Sequence, residues 1–203
     1  MPVVAVVRAA SGEQLVDVAE ALAAGGIDAV EITFTVPQAH RVIEKVAAKL
    51  GGRVLLGAGT VLDAETARIA LLSGAEFVVS PTLDLRVIEI CRRYGKLVMP
   101  GAFSPTEVLA AWQAGADIVK VFPCDVLGPA YLKALAGPLP QIRLMPSGGV
   151  NLDTIGAFLQ AGAFALGVGG ALVDAKLIEA GNFTEIQARA KRFADAVRQL
   201  RRT

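Results

Sequence analysis

Cysteine, histidine and aromatic residues are scarce in this sequence. Cys91 and Cys124 are its only cysteines, which is too few for a disulfide framework and is typical of a reducing, cytoplasmic environment. His40 is the only histidine, which argues against a centre built on several imidazole ligands, and we predict no metal site. Aromatic residues make up 5% of a chain that is 54% hydrophobic, so the predicted core is aliphatic, as in buried parallel strands beneath amphipathic helices.

The sequence also lacks an excess of charge of either sign and any targeting segment. Its 20 basic and 19 acidic residues give a formal net charge of +1, so we expect neither nucleic acid nor an anionic membrane as a partner. The first residues do not combine a basic region with an apolar stretch, so we predict no signal peptide and a cytoplasmic protein. Residues 154–173 carry no charge, but Gln160 and five glycines favour a helix, a turn and a strand over a membrane span.

Glycine recurs at intervals of 20 to 26 residues, each time between a helical pattern and a short apolar run. These glycines are Gly26, Gly52, Gly74, Gly95, Gly115, Gly137 and Gly162. We interpret each as a left-handed helix cap before a buried strand. The predicted strands are Val3–Arg8, Ile27–Thr33, Val54–Gly57, Glu76–Ser80, Leu97–Pro100, Asp117–Phe122, Ile142–Pro146 and Phe164–Val168. The predicted helix starts are Ser11, Pro37, Asp63, Asp84, Ser104 with Glu107, and Asn151. Eight strands alternating with eight helices predict an α/β protein: one (β/α)8 TIM barrel over residues 1–203.

Two residues of opposite charge occur inside apolar strands, near their carboxyl ends. Glu31 alternates with Ala29 and Thr33 in the second strand, and Lys120 has a similar place in the sixth. Both faces of a barrel strand are largely dry, so an isolated charge there is costly. Burial lowers the pKa of a lysine, and its neutral amine can attack a ketone while a nearby carboxyl group transfers protons. We predict that Lys120 forms a Schiff base and that Glu31 is its general acid and base; a structural ion pair is the alternative.

Glycine pairs follow the last two predicted strands. Ser147, Gly148 and Gly149 come after the seventh strand, and Gly169 and Gly170 come after the eighth. The loops at these two positions bind phosphate in many barrels, and glycine lets backbone N–H groups approach an anion closely. We predict a phosphate site there, with ordinary turn geometry as the alternative.

Two further residues follow predicted strands. Thr60 comes after the third strand, and it either donates a hydrogen bond to a substrate carboxylate or caps the next helix; we weigh these interpretations equally. Pro81 follows the fourth strand and shapes its loop.

These motifs together resemble the 2-keto-3-deoxy-6-phosphogluconate (KDPG) aldolase family, class I Schiff-base enzymes on a (β/α)8 barrel. The matching segments, in family order, are Val30–Thr33, Gly57–Val61, Val78–Pro81, Met99–Gly101, Ser104–Glu107, Val119–Pro123, Pro146–Val150 and Gly167–Gly169. The resemblance implies an imine at Lys120, a general acid and base at Glu31, and no cofactor beyond the covalent Schiff base. It also implies a homotrimer; a larger assembly is the alternative.

The resemblance further implies the contacts with the substrate. Arg8, Thr35 and Thr60 would hold the pyruvyl carboxylate and neighbouring oxygens, and the glycines after strands seven and eight would bind phosphate. We include Pro81 and Phe122 in the substrate site.

The sequence departs from the family pattern at four places. Thr35 stands where many members have arginine, Ser147 where they have threonine, and Gly170 where they have serine. The chain also begins at the first predicted strand, without the helix that usually precedes it in the family. Ser147 keeps the hydroxyl, whereas Gly170 removes one hydroxyl contact to phosphate but not the backbone N–H groups. The predicted phosphate site is therefore weaker than in the family pattern, and an unphosphorylated substrate is an alternative.

The function that this resemblance implies is reversible cleavage of KDPG to pyruvate and glyceraldehyde 3-phosphate. Within the same chemistry, 4-hydroxy-2-oxoglutarate (KHG) and 2-keto-3-deoxy-6-phosphogalactonate are alternative substrates. From other classes we consider an oligomeric scaffold built on this fold and a phosphate-binding isomerase, which would not need the lysine of strand six.

Overall fold

A computed structural model describes residues 1–201, in which strands and helices alternate. The strands are β1 (Val3–Val7), β2 (Ala29–Thr33), β3 (Leu55–Gly59), β4 (Phe77–Val79), β5 (Leu97–Met99), β6 (Gly101–Ala102), β7 (Val119–Val121), β8 (Leu144–Pro146) and β9 (Leu166–Val168). The helices are α1 (Leu15–Ala24), α2 (Ala39–Leu50), α3 (Ala64–Leu72), α4 (Leu85–Arg93), α5 (Pro105–Gln113), α6 (Gly128–Ala136), α7 (Ile155–Gln160), α8 (Ala175–Glu179) and α9 (Phe183–Leu200). The predicted domain of residues 1–203 extends two residues past this part of the chain.

All strand pairs are parallel, which confirms the predicted α/β class. One sheet has six strands in the order β5-β4-β3-β2-β1-β9, and a second has three in the order β6-β7-β8. Backbone hydrogen bonds also join the sheets: Lys120 N–H donates to Pro100 O at 2.9 Å, and Phe164 N–H donates to Leu144 O at 2.9 Å. These single bonds link β7 and β8 to segments beside β5 and β9.

The structure contains one strand and one helix more than predicted within residues 1–201. The extra strand is β6, which begins directly after Pro100, where the predicted fifth strand ends; proline has no N–H group for the ladder, so it separates β5 from β6. The extra helix is α8, a single short turn ahead of the long α9. Neither change alters the alternation that brings the carboxyl ends of the strands to one side.

Three of the predicted helix starts are confirmed. Asp63 and Asp84 accept hydrogen bonds from the first turns of α3 and α4, and Ser104 forms a reciprocal capping box with Glu107 at the start of α5. These side chains satisfy N–H groups that have no partner inside a helix.

The other three helix starts are wrong. No side chain caps α1, which begins at Leu15, after Ser11. Gln38 follows Pro37 with a left-handed φ of 55°, so α2 begins only at Ala39 and not at Pro37. Asn151 Oδ1 accepts from the N–H groups of Asp153 and Thr154, so it forms a turn and α7 begins only at Ile155.

The glycine pattern holds with one exception. Six of the seven predicted caps have a positive φ, between 62° and 104°, whereas Gly137 has a φ of −54°. Pro138 follows Gly137 and has no N–H group, so it cannot donate the hydrogen bond that closes a left-handed glycine cap.

Two hydrophobic clusters lie on opposite faces of the strands. The larger one packs the strands against the helices. The smaller one consists of Val4, Ala29, Phe77, Val79, Met99, Met145 and Ala165, with Ile118 packed against it. Glu31 is two residues beyond Ala29 and Lys120 is two beyond Ile118, so alternation along the strands continues this second face into the two charged residues. The fold therefore places Glu31 and Lys120 on the strand face that carries the second cluster.

Candidate active site

Glu31 and Lys120 are both almost completely removed from solvent. Glu31 has no exposed surface and Lys120 is 2% exposed. Burial raises the pKa of Glu31 above its ordinary value, against a smaller lowering by the positive charges of Lys120 and Arg8. Burial lowers the pKa of Lys120, while the charge of Glu31 opposes this and that of Arg8 adds to it. Both groups are therefore shifted towards their neutral forms, as proton transfer and nucleophilic attack require.

The two side chains do not bond to each other. Neither carboxylate oxygen of Glu31 has a hydrogen-bond partner, and no ion pair joins Glu31 to Lys120 within residues 1–201. A direct structural ion pair, the alternative raised by the sequence, is therefore not present. The carboxylate keeps its full capacity to accept protons.

The Glu31 side chain lies against β3 at a glycine. In the parallel register Glu31 pairs with Gly57, so its side chain extends towards Gly59. A Cβ atom at Gly59 would lie 1.8 Å from Glu31 Oε1, which leaves no room for any side chain there. Gly59 thus sets the position of the carboxylate, a role that the sequence analysis did not assign to it. A glycine inside a strand was the available signal.

Lys120 lies at the centre of the three-stranded sheet. Its backbone pairs with Gly101 in β6 and Met145 in β8. The amine lies 5.1 Å from the ring centre of Phe122, close enough for a favourable cation–π contact with the face of the ring. A ring face attracts the protonated form of the amine, so the lowered pKa of Lys120 comes mainly from burial and not from this contact.

Polar groups surround the end of β1. The Thr33 hydroxyl donates to Val7 O at 3.1 Å and lies 2.7 Å from the Thr35 hydroxyl, which is exposed. Arg8 is also exposed, and its Nη1 lies 3.5 Å from where a Cβ of Gly169 would be. Arg8 thus reaches from the buried pair to the glycines after β9.

Thr60 has a strained backbone. Its φ is 56°, in a region that β-branched residues rarely adopt and that recurs at functional sites. The next helix, α3, is capped by Asp63, whose Oδ1 accepts from Thr66 N–H at 2.6 Å. The interpretation of Thr60 as the cap of that helix is therefore wrong.

The predicted glycine loops form one cavity of about 250 Å³. Its walls include seven of the predicted site residues: Arg8, Phe122, Ser147, Gly148, Gly149, Gly169 and Gly170. Phe122 belongs to this cavity and also contacts the Lys120 amine, so it joins the two parts of the site. Asn151, which also lines the cavity, was missed because it was interpreted as a helix start.

Three predicted substrate residues lie outside this cavity. Thr35, Thr60 and Pro81 are absent from its described lining. The backbone of Pro81 packs on Gly101, where a Cβ would lie 2.2 Å from the Pro81 carbonyl carbon.

A larger depression, of about 610 Å³, lies at the opposite ends of the strands, beside Asp28, Arg53 and Glu76. It contains none of the predicted site residues. Within residues 1–201 no three His, Cys, Asp or Glu side chains come together as metal ligands. No helix in the same range is both long and apolar enough to cross a membrane.

Two curated relatives match over nearly the whole chain. The 2-dehydro-3-deoxy-phosphogluconate aldolase of Treponema pallidum is 39% identical over 190 residues, which cover 93% of this chain and 88% of that protein. The 2-dehydro-3-deoxy-6-phosphogalactonate aldolase of Escherichia coli is 33% identical over 201 residues, which cover 98% of this chain and 96% of that protein.

Solved structures agree with this similarity. A KDPG aldolase from Legionella pneumophila, with pyruvate captured as a covalent carbinolamine, has a TM-score of 0.87 at 28% identity and covers 94% of this chain and 92% of its own. A cube-shaped cage designed by fusing symmetric oligomeric domains has a TM-score of 0.94 at 31% identity and covers 100% of this chain and 74% of its own. The family model for KDPG and KHG aldolase matches residues 1–189. This chain belongs to the KDPG and KHG aldolase family of carbon–carbon lyases.

Proposed function

We propose that this protein is the class I aldolase that cleaves KDPG reversibly to pyruvate and glyceraldehyde 3-phosphate, with Lys120 as the imine-forming residue and Glu31 as the general acid and base. The observation that carries the proposal is a buried amine with a lowered pKa beside a buried carboxyl group with a raised pKa, neither bonded to the other. This arrangement suits a keto acid that binds covalently at Lys120 while a second group moves protons.

The reaction begins when the neutral Lys120 amine adds to the C2 carbonyl of the substrate to give a carbinolamine. Loss of water, with a proton supplied by Glu31, gives a protonated imine. Glu31 then accepts the proton of the C4 hydroxyl, the C3–C4 bond breaks and its electron pair moves into the imine as an enamine. Glyceraldehyde 3-phosphate leaves. Glu31 returns its proton to C3 of the enamine; water then hydrolyses the protonated imine to pyruvate and the free Lys120 amine, and the proton that this releases goes back to Glu31.

The remaining site residues bind the two ends of the substrate. We assign Arg8, Thr35 and Thr60 to the carboxylate of the pyruvyl part and the oxygens beside it. Arg8 also lines the glycine cavity, so it extends along the substrate towards its other end. Pro81 and Phe122 contact the carbon chain.

We assign the phosphate to the glycine cavity. Ser147, Gly148 and Gly149 lie on one side and Gly169 and Gly170 on the other, and the positive φ of the first glycine pair turns the backbone sharply. Backbone N–H groups and one hydroxyl would be the donors to the phosphate oxygens.

The proposal includes the form of the protein. We propose a closed (β/α)8 barrel in one domain, supported by the backbone bonds that join the two sheets. We also propose a cytoplasmic homotrimer; the similarity to a cage designed from symmetric oligomeric domains supports an oligomer. Size measurement in solution tests the trimer, and an ordered particle far larger than a trimer would favour the scaffold function instead.

Trapping with borohydride tests the chemistry. With pyruvate and borohydride, we expect one stable adduct on Lys120, located by mass spectrometry, and none in a Lys120→Met variant. Lys133, on the exposed surface of α6, is the internal control and stays unmodified. Absence of an adduct on Lys120 rejects the mechanism. Cleavage rates for KDPG, its galactonate epimer and KHG then identify the substrate. If either alternative has a higher kcat/KM than KDPG, that compound becomes the proposed substrate.

A further inference from the structure

Asp125 lies directly against the glycine turn of the proposed phosphate cavity. A Cβ atom at Gly148 would be 3.1 Å from Asp125 Oδ1, and one at Gly149 would be 3.0 Å from Asp125 Cα. The turn is held there by the Cys124 N–H, which donates to Ser147 O at 2.9 Å. The backbone at Asp125 is therefore held next to the segment that we assign to phosphate oxygens, and its carboxylate lies beside Gly148.

The Asp125 charge has no partner that would neutralise it. Its side chain is exposed and forms no hydrogen bond or ion pair within residues 1–201. Its charge acts on its neighbours, since it adds to the effect of burial in raising the pKa of the Cys124 thiol to about 11. A carboxylate in this position repels a nearby anion.

The cavity offers few positive charges against this repulsion. Arg8 is the only charged side chain in its described lining, and the charge of Arg8 also acts on Glu31. Gly170 contributes no side chain, and nothing lies within 4 Å of where its Cβ would be. One cation and one adjacent anion leave the cavity nearly neutral, although a phosphate ester carries up to two negative charges.

We propose that Asp125 is a specificity residue of this cavity, whose carboxylate weakens the binding of phosphate and narrows the preference of the enzyme for phosphorylated over unphosphorylated keto acids. The proposal rests on the proposed function, because it takes the glycine cavity as the phosphate site. Asp125 contacts the glycine turn but is not part of the described lining of the cavity, so its effect falls on substrate affinity and not on the chemical steps.

The test compares KDPG with 2-keto-3-deoxygluconate, the same substrate without phosphate. Asp125→Asn removes the charge and keeps the shape, Asp125→Glu keeps the charge, and Asp28→Asn makes the same charge change at the opposite ends of the strands. We expect Asp125→Asn to lower KM for KDPG by about three- to tenfold at low salt, with kcat and the KM for the unphosphorylated substrate changed by less than about twofold. The effect shrinks at high salt because ions screen it. The other two variants behave as the wild type.

Three results would overturn the proposal. An equal fall in KM for both substrates would mean that the phosphate is not involved. The same gain in Asp125→Glu would mean that shape, not charge, is responsible. The same gain in Asp28→Asn would mean that the net charge of the protein is responsible.

Binding of inorganic phosphate separates this proposal from the proposed function. Calorimetric titration of the wild type and Asp125→Asn needs no catalysis, and we expect the variant to bind phosphate about three- to tenfold more tightly. Equal affinities overturn the role of Asp125 even when Lys120 forms its adduct. Tighter binding supports that role even when KDPG proves not to be the substrate.

Discussion

The two ends of the site differ in the groups that form them, which are buried charged side chains at one end and mainly backbone groups at the other. At one end, Glu31 and Lys120 are charged side chains buried between strands, where burial shifts the pKa of each towards the neutral form. At the other end, a cavity of about 250 Å³ is lined largely by the backbone of Ser147–Asn151 and Gly167–Ala171. Gly149 and Gly170 there are exposed.

This difference separates two kinds of effect. The buried end depends on side-chain position and on the exclusion of water, so substitutions there change the chemical steps and appear in kcat. The glycine end binds through backbone groups that keep their place when a neighbouring side chain changes, so substitutions there appear mainly in KM. The following predictions test this division.

The largest effect is expected for Glu31→Gln. Glutamine has nearly the same shape but cannot accept and return a proton, so we expect kcat for KDPG cleavage to fall by about 10²- to 10⁴-fold. Borohydride still traps pyruvate on Lys120, because the amine remains, but more slowly, because the dehydration step loses the proton from Glu31. Glu44→Gln, on the exposed side of α2, is the matched control and keeps wild-type activity. A fall in kcat of less than tenfold would remove Glu31 from the proton-transfer role.

Gly59→Ala tests the packing of the buried end, next to the Glu31 carboxylate. The new methyl group would meet the Glu31 carboxylate at 1.8 Å, so the carboxylate must move. We expect kcat to fall by at least about tenfold and the free energy of unfolding to fall by about 1–3 kcal/mol. Gly170→Ala, where nothing lies within 4 Å of the new atom, is the control. Denaturant titration and steady-state kinetics measure the two effects.

A double variant shows whether Glu31 is the group displaced. In a Glu31→Ala background the methyl group of Gly59→Ala has no carboxylate to meet, so its cost in unfolding free energy falls by more than half. If Gly59→Ala lowers the free energy of unfolding equally in both backgrounds, the new methyl group clashes with another part of β2 and not with the Glu31 carboxylate.

The buried end was predictable because its residues are energetically unusual. A lysine or glutamate inside an apolar, alternating strand stands out in the sequence, since burying a charge is costly. The spacing of the glycines located the strands that hold them for a similar reason, because a left-handed cap favours glycine.

Other features depended on contacts between distant segments. The register that brings Glu31 onto Gly59 is set by pairing between β2 and β3, and neither strand encodes it alone. The strained backbone of Thr60 and the contact of Asp125 with the turn after β8 likewise arise from packing of separate segments. The sequence predicts that Thr60 follows the third strand, but it does not reveal what Thr60 contacts.

The pH dependence of adduct formation tests the electrostatics of the buried end. Only the neutral amine attacks pyruvate, so the trapping rate rises with pH and levels off above the pKa of Lys120. Because burial lowers this pKa, the plateau is reached below the ordinary lysine value of about 10.4. The negative charge of Glu31 raises the pKa of Lys120, so Glu31→Gln shifts the curve to lower pH; Arg8 lowers that pKa, so Arg8→Gln shifts the curve to higher pH. Shifts in the same direction for both variants would contradict this assignment.

The smallest effect is expected at the glycine end, for Gly170→Ser. The site has room for the side chain, since nothing lies within 4 Å of the new Cβ, and the serine hydroxyl would add one donor to a cavity with a single cationic side chain. One exposed hydrogen bond of about 0.5–1.4 kcal/mol corresponds to a fall of about two- to tenfold in KM for KDPG, with kcat unchanged. Gly170→Ala separates the hydroxyl from the added methyl group. If Gly170→Ser changes kcat and leaves KM as it was, the cavity contributes to the chemical steps, and the division between the two ends of the site does not hold.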